Sequence, residues 1–447
     1  MSRLALIASG LLLLAVSPTA ACGGGSVYLE GAFKTGEIGW GDADAHFQAS
    51  GSEATFAPEP GTQTARWDAS LSVGDADACV TLTMPANVAD PSRTYAGLLF
   101  WVTGKDDFYE FVVAPNGFFS IARKVRGGLV AVPPIPWTKT EALKLGAGAK
   151  NTLRLMLEGQ IVTASINGAE VARLRAQAPG VPSHIGLVAA SAPDATNSWQ
   201  LSDLKITNVP ASLAGPQPAA ADVAAGAAKP PADCGTGKAL LEDTFTVHDP
   251  AWGPKDDRLA IAAGEAVLSP APGTRTLRWN RAFVFDDVDA CATTQLTSYT
   301  SDPITSYAGL MFWVKDDRNF YQAVITESGH FTVARVVDGK VQQKRPVAWT
   351  DLDVAKTRSK DKNTLRVATK GDRVVISVNG RQVAKFTGDR PKGGSYVGVL
   401  AASSPGKAGD TWSITGFKVV EPQASSQATS DDGDGTTRPP SRSRRKQ

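Results

Sequence analysis

From Tyr95 the chain reads YAGLLFWV, and both alternating sets of positions are apolar: Tyr95, Gly97, Leu99 and Trp101 on one side, Ala96, Leu98, Phe100 and Val102 on the other. A strand with two apolar faces is covered on both sides. Lys105-Asp106-Asp107 supplies a turn, and residues 108–113 form the partner strand. Asn116-Gly117 marks a hairpin, FFSIARKV a third strand, and Gly127-Gly128 the next turn. NTLRLMLEGQIVTASINGAEVARL predicts three short strands broken at Glu158-Gly159 and Asn167-Gly168, and HIGLVAAS and WQLSDLKITNV predict two more. KTEALKL, from Lys139, is the one segment expected to make a helical turn. Many short strands with regular turns predict an antiparallel β-sandwich of jelly-roll type.

The pattern occurs twice. A shift of 212 residues places Trp40 on Trp252, Trp67 on Trp279, Trp101 on Trp313 and Trp137 on Trp349, and a shift of 213 places Trp199 on Trp412. All ten tryptophans therefore fall into five pairs, which identifies an internal duplication. The expected layout is a signal peptide over 1–21, a first module over 22–208, a linker over 209–233, a second module over 234–421 and a basic tail over 422–447. The linker is rich in Pro, Ala and Gly, with little to bury. The tail is polar throughout, as disordered segments are. Its DDGDG lacks the closing Glu of a calcium loop.

The first residues, MSRLALIASGLLLLAVSPTAAC, carry one Arg, an apolar run over 4–16 and then small residues. This is the form of a secretory signal, too short to span a bilayer, and no later stretch is long and apolar enough to do so. Export to a periplasmic or extracellular compartment permits disulfides. Cys22 and Cys79 are separated by 57 residues, as are Cys234 and Cys291, so the duplication favours those two pairings. The rival for Cys22 is a lipid anchor. Against it stand Thr19, where a lipoprotein signal usually has Leu, and CGTG at Cys234, which echoes CGGG at Cys22. A net charge of +2 gives the whole chain no attraction for nucleic acid.

Each module resembles the concanavalin A-like and laminin G-like jelly rolls, and most of all the bacterial 3-keto-disaccharide hydrolase type, which shares its fold with family-16 glycoside hydrolases. The residues that carry the resemblance are YAGLLFWV, DDFYEFVV, FSIAR, Trp137, NTLRLMLEG, SINGAEVA and IGLVAAS, answered in the second copy by YAGLMFWV, RNFYQAVI, FTVAR, Trp349, NTLRVATKG, SVNGRQVA and VGVLAAS. The resemblance implies a two-sheet sandwich with a face or rim that meets sugars or protein ligands.

The catalytic signature is missing. A retaining glycosidase needs two carboxyl groups about 5–5.5 Å apart, and neither module carries Glu-x-Asp-x-Glu. Glu110, the nearest candidate, becomes Gln322 in the second copy, and Gln is neither nucleophile nor acid. Asp75/Asp287 and Asp77/Asp289 recur, and are expected on a polar outward face. His46, His184, His248 and His330 face Arg258, Tyr396, Gly36 and Phe118 under the repeat, so the modules share no histidine site. No metal site or cofactor is expected.

Four side chains remain as ligand candidates. Arg123 ends the row Phe119, Ile121, and Arg335 the row Phe331, Val333. Each guanidinium can serve a sugar hydroxyl or a carboxylate, or pair with an Asp at the strand end. Trp137 and Trp349 lie in loop-like segments, PPIPWTKT and RPVAWTDL, from which an indole can reach a sugar's apolar face. Trp101, Trp313, Tyr95 and Tyr307 are expected in the core. The function these features predict is non-catalytic binding of a glycan or cell-envelope polymer, two copies adding avidity. The alternatives are a glycoside-acting enzyme of the resembled type and an envelope protein-binding scaffold. The oligomeric state is not set by these features.

Overall fold

Burial alternates residue by residue along Lys150–Glu158, as a strand with one face in the core requires, whereas Tyr95–Gly104 is buried on both faces over most of its length. The computed structural model describes residues 23–209 and 234–422 apart from 32, 34, 36–38, 87, 89, 299–304, 359 and 407–408. Residues 1–22, with the expected signal and Cys22, residues 210–233 and residues 423–447, with the expected tail, lie outside the described residues.

Each module is an antiparallel sandwich of one eight-stranded and one seven-stranded sheet among the described residues. In the first module the larger sheet runs Ala169–Arg175, Ile161–Ile166, Lys150–Glu158, Ala76–Thr83, Trp199–Thr207, Glu53–Phe56, Phe47–Ser50, with Val27–Glu30 also paired to Trp199–Thr207. The smaller sheet runs Ile135–Lys139, Phe118–Val125, Asp107–Val113, Tyr95–Gly104, His184–Ala190, Gln63–Trp67, with Gly128–Leu129 on Phe118–Val125. The second module repeats this order. Trp137 and Trp349 lie in strands, Ile135–Lys139 and Val347–Asp351, rather than in loops. The segment after Lys139 continues as turns, not as the helical turn expected from KTEALKL.

Leu98, Phe100, Phe111 and Ile121 of the smaller sheet meet Val80, Leu82, Leu153 and Leu155 of the larger one in the main core. The other face of Tyr95–Gly104 makes its own cluster, with Leu99, Val102, Phe108, Val112 and Val188. One expectation fails here. Trp101 does not follow Tyr95, Gly97 and Leu99 to that face: it joins the main core. Its φ is 50°, and that of Trp313 is 49°. The pairing register shifts after Phe100 and after Phe312, so a bulge turns each indole inward. Gly97 and Gly309 are needed for a different reason. A Cβ on either would stand 2.0 or 2.1 Å from the carbonyl oxygen of Phe111 or Ala323 on the neighbouring strand.

Asp77 and Asp289 also depart from the outward placement. Asp77 is buried and takes a forked pair of hydrogen bonds from Arg154 at 2.8 and 2.6 Å, and Asp289 takes the same from Arg366 at 2.7 and 2.5 Å. Asp75 and Asp287 accept from the turn amides of Gly159 and Gly371. Burying a carboxylate is tolerated only with such partners. Cys234 and Cys291 are bonded, their Cα atoms 5.5 Å apart. Cys79 is disulfide-bonded, and its expected partner Cys22 lies outside the described residues.

The two modules pack on each other. Val130 and Val132 of the first lie against the Met311, Val314 and Tyr396 cluster of the second. Arg126 pairs with Asp286, and the Arg175 amide donates to Asp249 at 2.9 Å.

Candidate functional site

The smaller sheet of each module presents an aromatic pair on the face turned away from the main core. Trp137 and Trp349 are each 41% exposed. Tyr95 is half-buried with its ring centroid 5.8 Å from that of Trp137; Tyr307 and Trp349 repeat the contact at 6.1 Å. Two strands, Asp107–Val113 and Phe118–Val125, separate the strand of Tyr95 from that of Trp137. Side chains standing upright on a flat sheet would hold the rings about 14 Å apart. Their contact means that the sheet curls toward this face. Tyr95 and Tyr307, expected in the core, are therefore the inner partners of the exposed indoles.

In the second module this face encloses a cavity of about 420 Å³ lined by Tyr307, Gln322, His330, Val341, Arg345 and Trp349 among others. The Arg345 guanidinium lies 5.8 Å from the Trp349 ring centroid. His330 is held by Asp351 at 2.9 Å and Ser328 at 2.8 Å. The cavity thus combines an aromatic wall with an amide, an imidazole and a guanidinium, Gln322 buried, His330 and Arg345 half-buried, and Val341 and Trp349 exposed. In the first module the repeat puts Phe118 in place of His330 and Pro133 in place of Arg345, so the same aromatic pair has fewer polar neighbours.

Glu110 lies on this face too, since it pairs in register with Leu99. Only 3% of it is exposed. Gln63 donates to it at 2.6 Å. Burial pushes its carboxyl up to about 7, partly offset by the Gln63 hydrogen bond and the Lys124 charge. Burial, with the Glu110 charge second, also raises the Tyr95 phenol.

The four candidates from the sequence do not form one site. Arg123 pairs in register with Tyr109 on the core-facing side, opposite to Trp137. It bonds Gln177 and, at 3.2 Å, the Ala282 carbonyl of the second module. Arg335 bonds Asp389, one of the two roles its place at a strand end allowed. His330, Arg345 and Gln322 have Phe118, Pro133 and Glu110 at the matching positions, so the repeat gives no signal for them: a site that one module alone has elaborated leaves no matched pair in the sequence.

No family model matches the sequence, and no curated protein matches it. Solved structures do. The carbohydrate binding module CBM66 from Bacillus subtilis is 13% identical, covering 40% of this chain and 100% of its own at a TM-score of 0.31. The Bacillus licheniformis beta-glucanase is 8% identical, with 42% and 100% covered at 0.31. The catalytic domain of an endo-1,3-beta-glucanase (laminarinase) from Thermotoga petrophila is 11% identical, with 42% and 99% covered at 0.33. At these identities no residue role transfers. Among the described residues no helix is long and apolar enough to cross a membrane.

Proposed function

We propose that this chain is an exported, non-catalytic binding protein that recognises a glycan or cell-envelope polymer on the curled aromatic face, mainly through the second module. The proposed layout is modules over 22–208 and 234–421 behind a signal at 1–21, joined by a linker over 209–233, with a basic tail over 422–447 and a Cys22–Cys79 bridge. One observation carries the reading: Trp137 and Trp349 stand equally exposed beside a tyrosine at the same position of both modules. An indole left partly in water at a repeated position forgoes the gain of burying that area, which a ligand covering it would supply. A pyranose face suits it, with the Arg345 guanidinium and the Gln322 amide to bond hydroxyls, since Ser328 and Asp351 already engage both nitrogens of His330. The test is a glycan array followed by calorimetry on the full chain. Binding that disappears on Trp349→Ala supports the reading, and an array without response from the folded protein removes it.

A second reading, glycoside cleavage of the 3-keto-disaccharide hydrolase type, is favoured by Glu110 alone. A buried carboxyl poised near 7 is a suitable proton donor on a sugar-binding face. Release of reducing sugar from 3-keto or ordinary glycosides, lost in Glu110→Gln, would establish it.

A further inference from the structure

The two modules carry the same loop and the same receptor for it, but only one receptor is filled. The loops are residues 68–73 and 280–285. In the first, Ala69 donates to the Gly39 carbonyl at 3.0 Å, Ser70 to Asp68 Oδ1 at 2.8 Å and Val73 to Ser183 at 2.8 Å. In the second, Arg281 donates to Ala251 at 2.9 Å, Ala282 to Asn280 Oδ1 at 3.0 Å and Phe285 to Ser395 at 2.8 Å. The backbone ties coincide position for position, so the loops share one shape.

The receptors coincide as well. In the first module Trp101 stands edge-on to Tyr109 at 5.5 Å, Arg123 lies 4.9 Å from the Tyr109 ring, and the Gln177 amide donates to the Tyr109 hydroxyl at 3.1 Å. In the second, Trp313 stands edge-on to Tyr321 at 5.3 Å, Arg335 lies 5.6 Å from its ring, and the Asp389 amide donates to its hydroxyl at 3.0 Å.

The difference is occupancy. Tyr109 donates its proton to the Ala282 carbonyl at 2.7 Å, Arg123 adds a second donor at 3.2 Å, and Gln177 Oε1 accepts from the Val284 amide at 3.2 Å. Loop 280–285 of the second module is thus seated in the receptor of the first; Ala282 is buried and Val284 half-buried, while the matching Ser70 and Ser72 of the first module's loop are exposed. A cavity lies beside both receptors, about 390 Å³ next to Trp101, Tyr109 and Arg123 and about 330 Å³ next to Trp313, Tyr321 and Arg335, so the mark of vacancy is the Tyr321 hydroxyl, which has no acceptor among the described residues.

We propose that loop 68–73 of one molecule seats in the Tyr321–Arg335 receptor of a second copy, joining chains head to tail. The Ser70 carbonyl takes the place of Ala282's on the Tyr321 hydroxyl, and Asp389, an acceptor like Gln177, receives the Ser72 amide. The occupant is a second copy because the chain already makes this contact with itself, and each molecule offers one unused loop and one unused receptor. Such a pairing is heterologous, so it extends rather than closing at two. It is weaker than the contact within the chain. The apolar LVAVPP at 129–134, some of which packs on the second module, is VQQKRP at 341–346, and the Arg126–Asp286 pair has Asp338 and Gly74 at the matching positions. The linker's local concentration is also absent.

Sedimentation of the full chain over a concentration series tests this. The weight-average mass should rise with concentration without a plateau at two. Ser70→Arg blocks the loop and Arg335→Glu the receptor; each variant alone should stay monomeric, and their equimolar mixture should form a one-to-one pair through the remaining intact loop and receptor. Should Arg335→Glu unfold the module, Tyr321→Phe removes only the donor hydroxyl and should weaken association at least about tenfold, the effect of one buried hydrogen bond. A native chain that stays monomeric throughout, an oligomer that survives Ser70→Arg, or a mixture that stays monomeric overturns the proposal.

Discussion

Gln63 Nε2 donates to Glu110 Oε2 at 2.6 Å, and the second module keeps the contact with new chemistry, Arg275 donating to Gln322 Oε1 at 3.3 Å. A carboxyl with an amide donor in one copy faces an amide with a guanidinium donor in the other. The exchange keeps the hydrogen bond and removes the buried acid.

That comparison predicts a pH dependence. The folded-state value of about 7 lies above the ordinary 4.5, so the folded protein holds more protons between those limits. The stabilisation is full below about 4.5 and is lost as pH rises through 7. Glu110→Gln should match the parent near pH 4 and exceed it at pH 8 by about 1–3 kcal/mol in urea unfolding. Identical pH profiles would refute the assignment.

Removing Arg154 should leave Asp77 buried with its forked partner gone. We expect Arg154→Ala to cost about 3 kcal/mol, toward the lower end for buried pairs because the guanidinium is partly in water. Chemical denaturation measures it, and a loss under about 0.5 kcal/mol would show the pair to be dispensable.

Gly309→Ala should destabilise by about 1–3 kcal/mol or more, since its methyl would collide with the Ala323 carbonyl and push neighbouring strands of the smaller sheet apart. Gly371→Ala makes a useful contrast. That glycine has open space but a φ of 59°, so its penalty is backbone strain alone. Thermal melts that rank the two oppositely would count against the close-approach argument.

Trp349→Ala should weaken glycan binding about tenfold or more, with a modest fall in melting temperature from the lost contacts with Tyr307 and Arg345, because the indole is 41% exposed rather than fully buried. Trp137→Ala should do less, since Phe118 and Pro133 replace the His330 and Arg345 of the second module. Calorimetry on the two variants decides, and equal losses would mean that both modules bind alike.

What the chain's own order of residues determined was the repeated local pattern: the strands and their turns, the doubling of the module, and the Cys234–Cys291 pairing that the doubling implied. These are legible because a strand's period is set by its backbone, and a repeat needs no knowledge of contacts. Tertiary structure decided the rest. The bulge that turns Trp101 inward depends on how two strands shift register, and the burial of Asp77 depends on Arg154 reaching it across the adjacent strand. Sheet curl brings Trp137 onto Tyr95, and module docking carries the Ala282 carbonyl to Arg123, residues 159 apart in the chain. A side chain's role follows from what arrives beside it, and distant neighbours arrive only when sheets curl and modules meet.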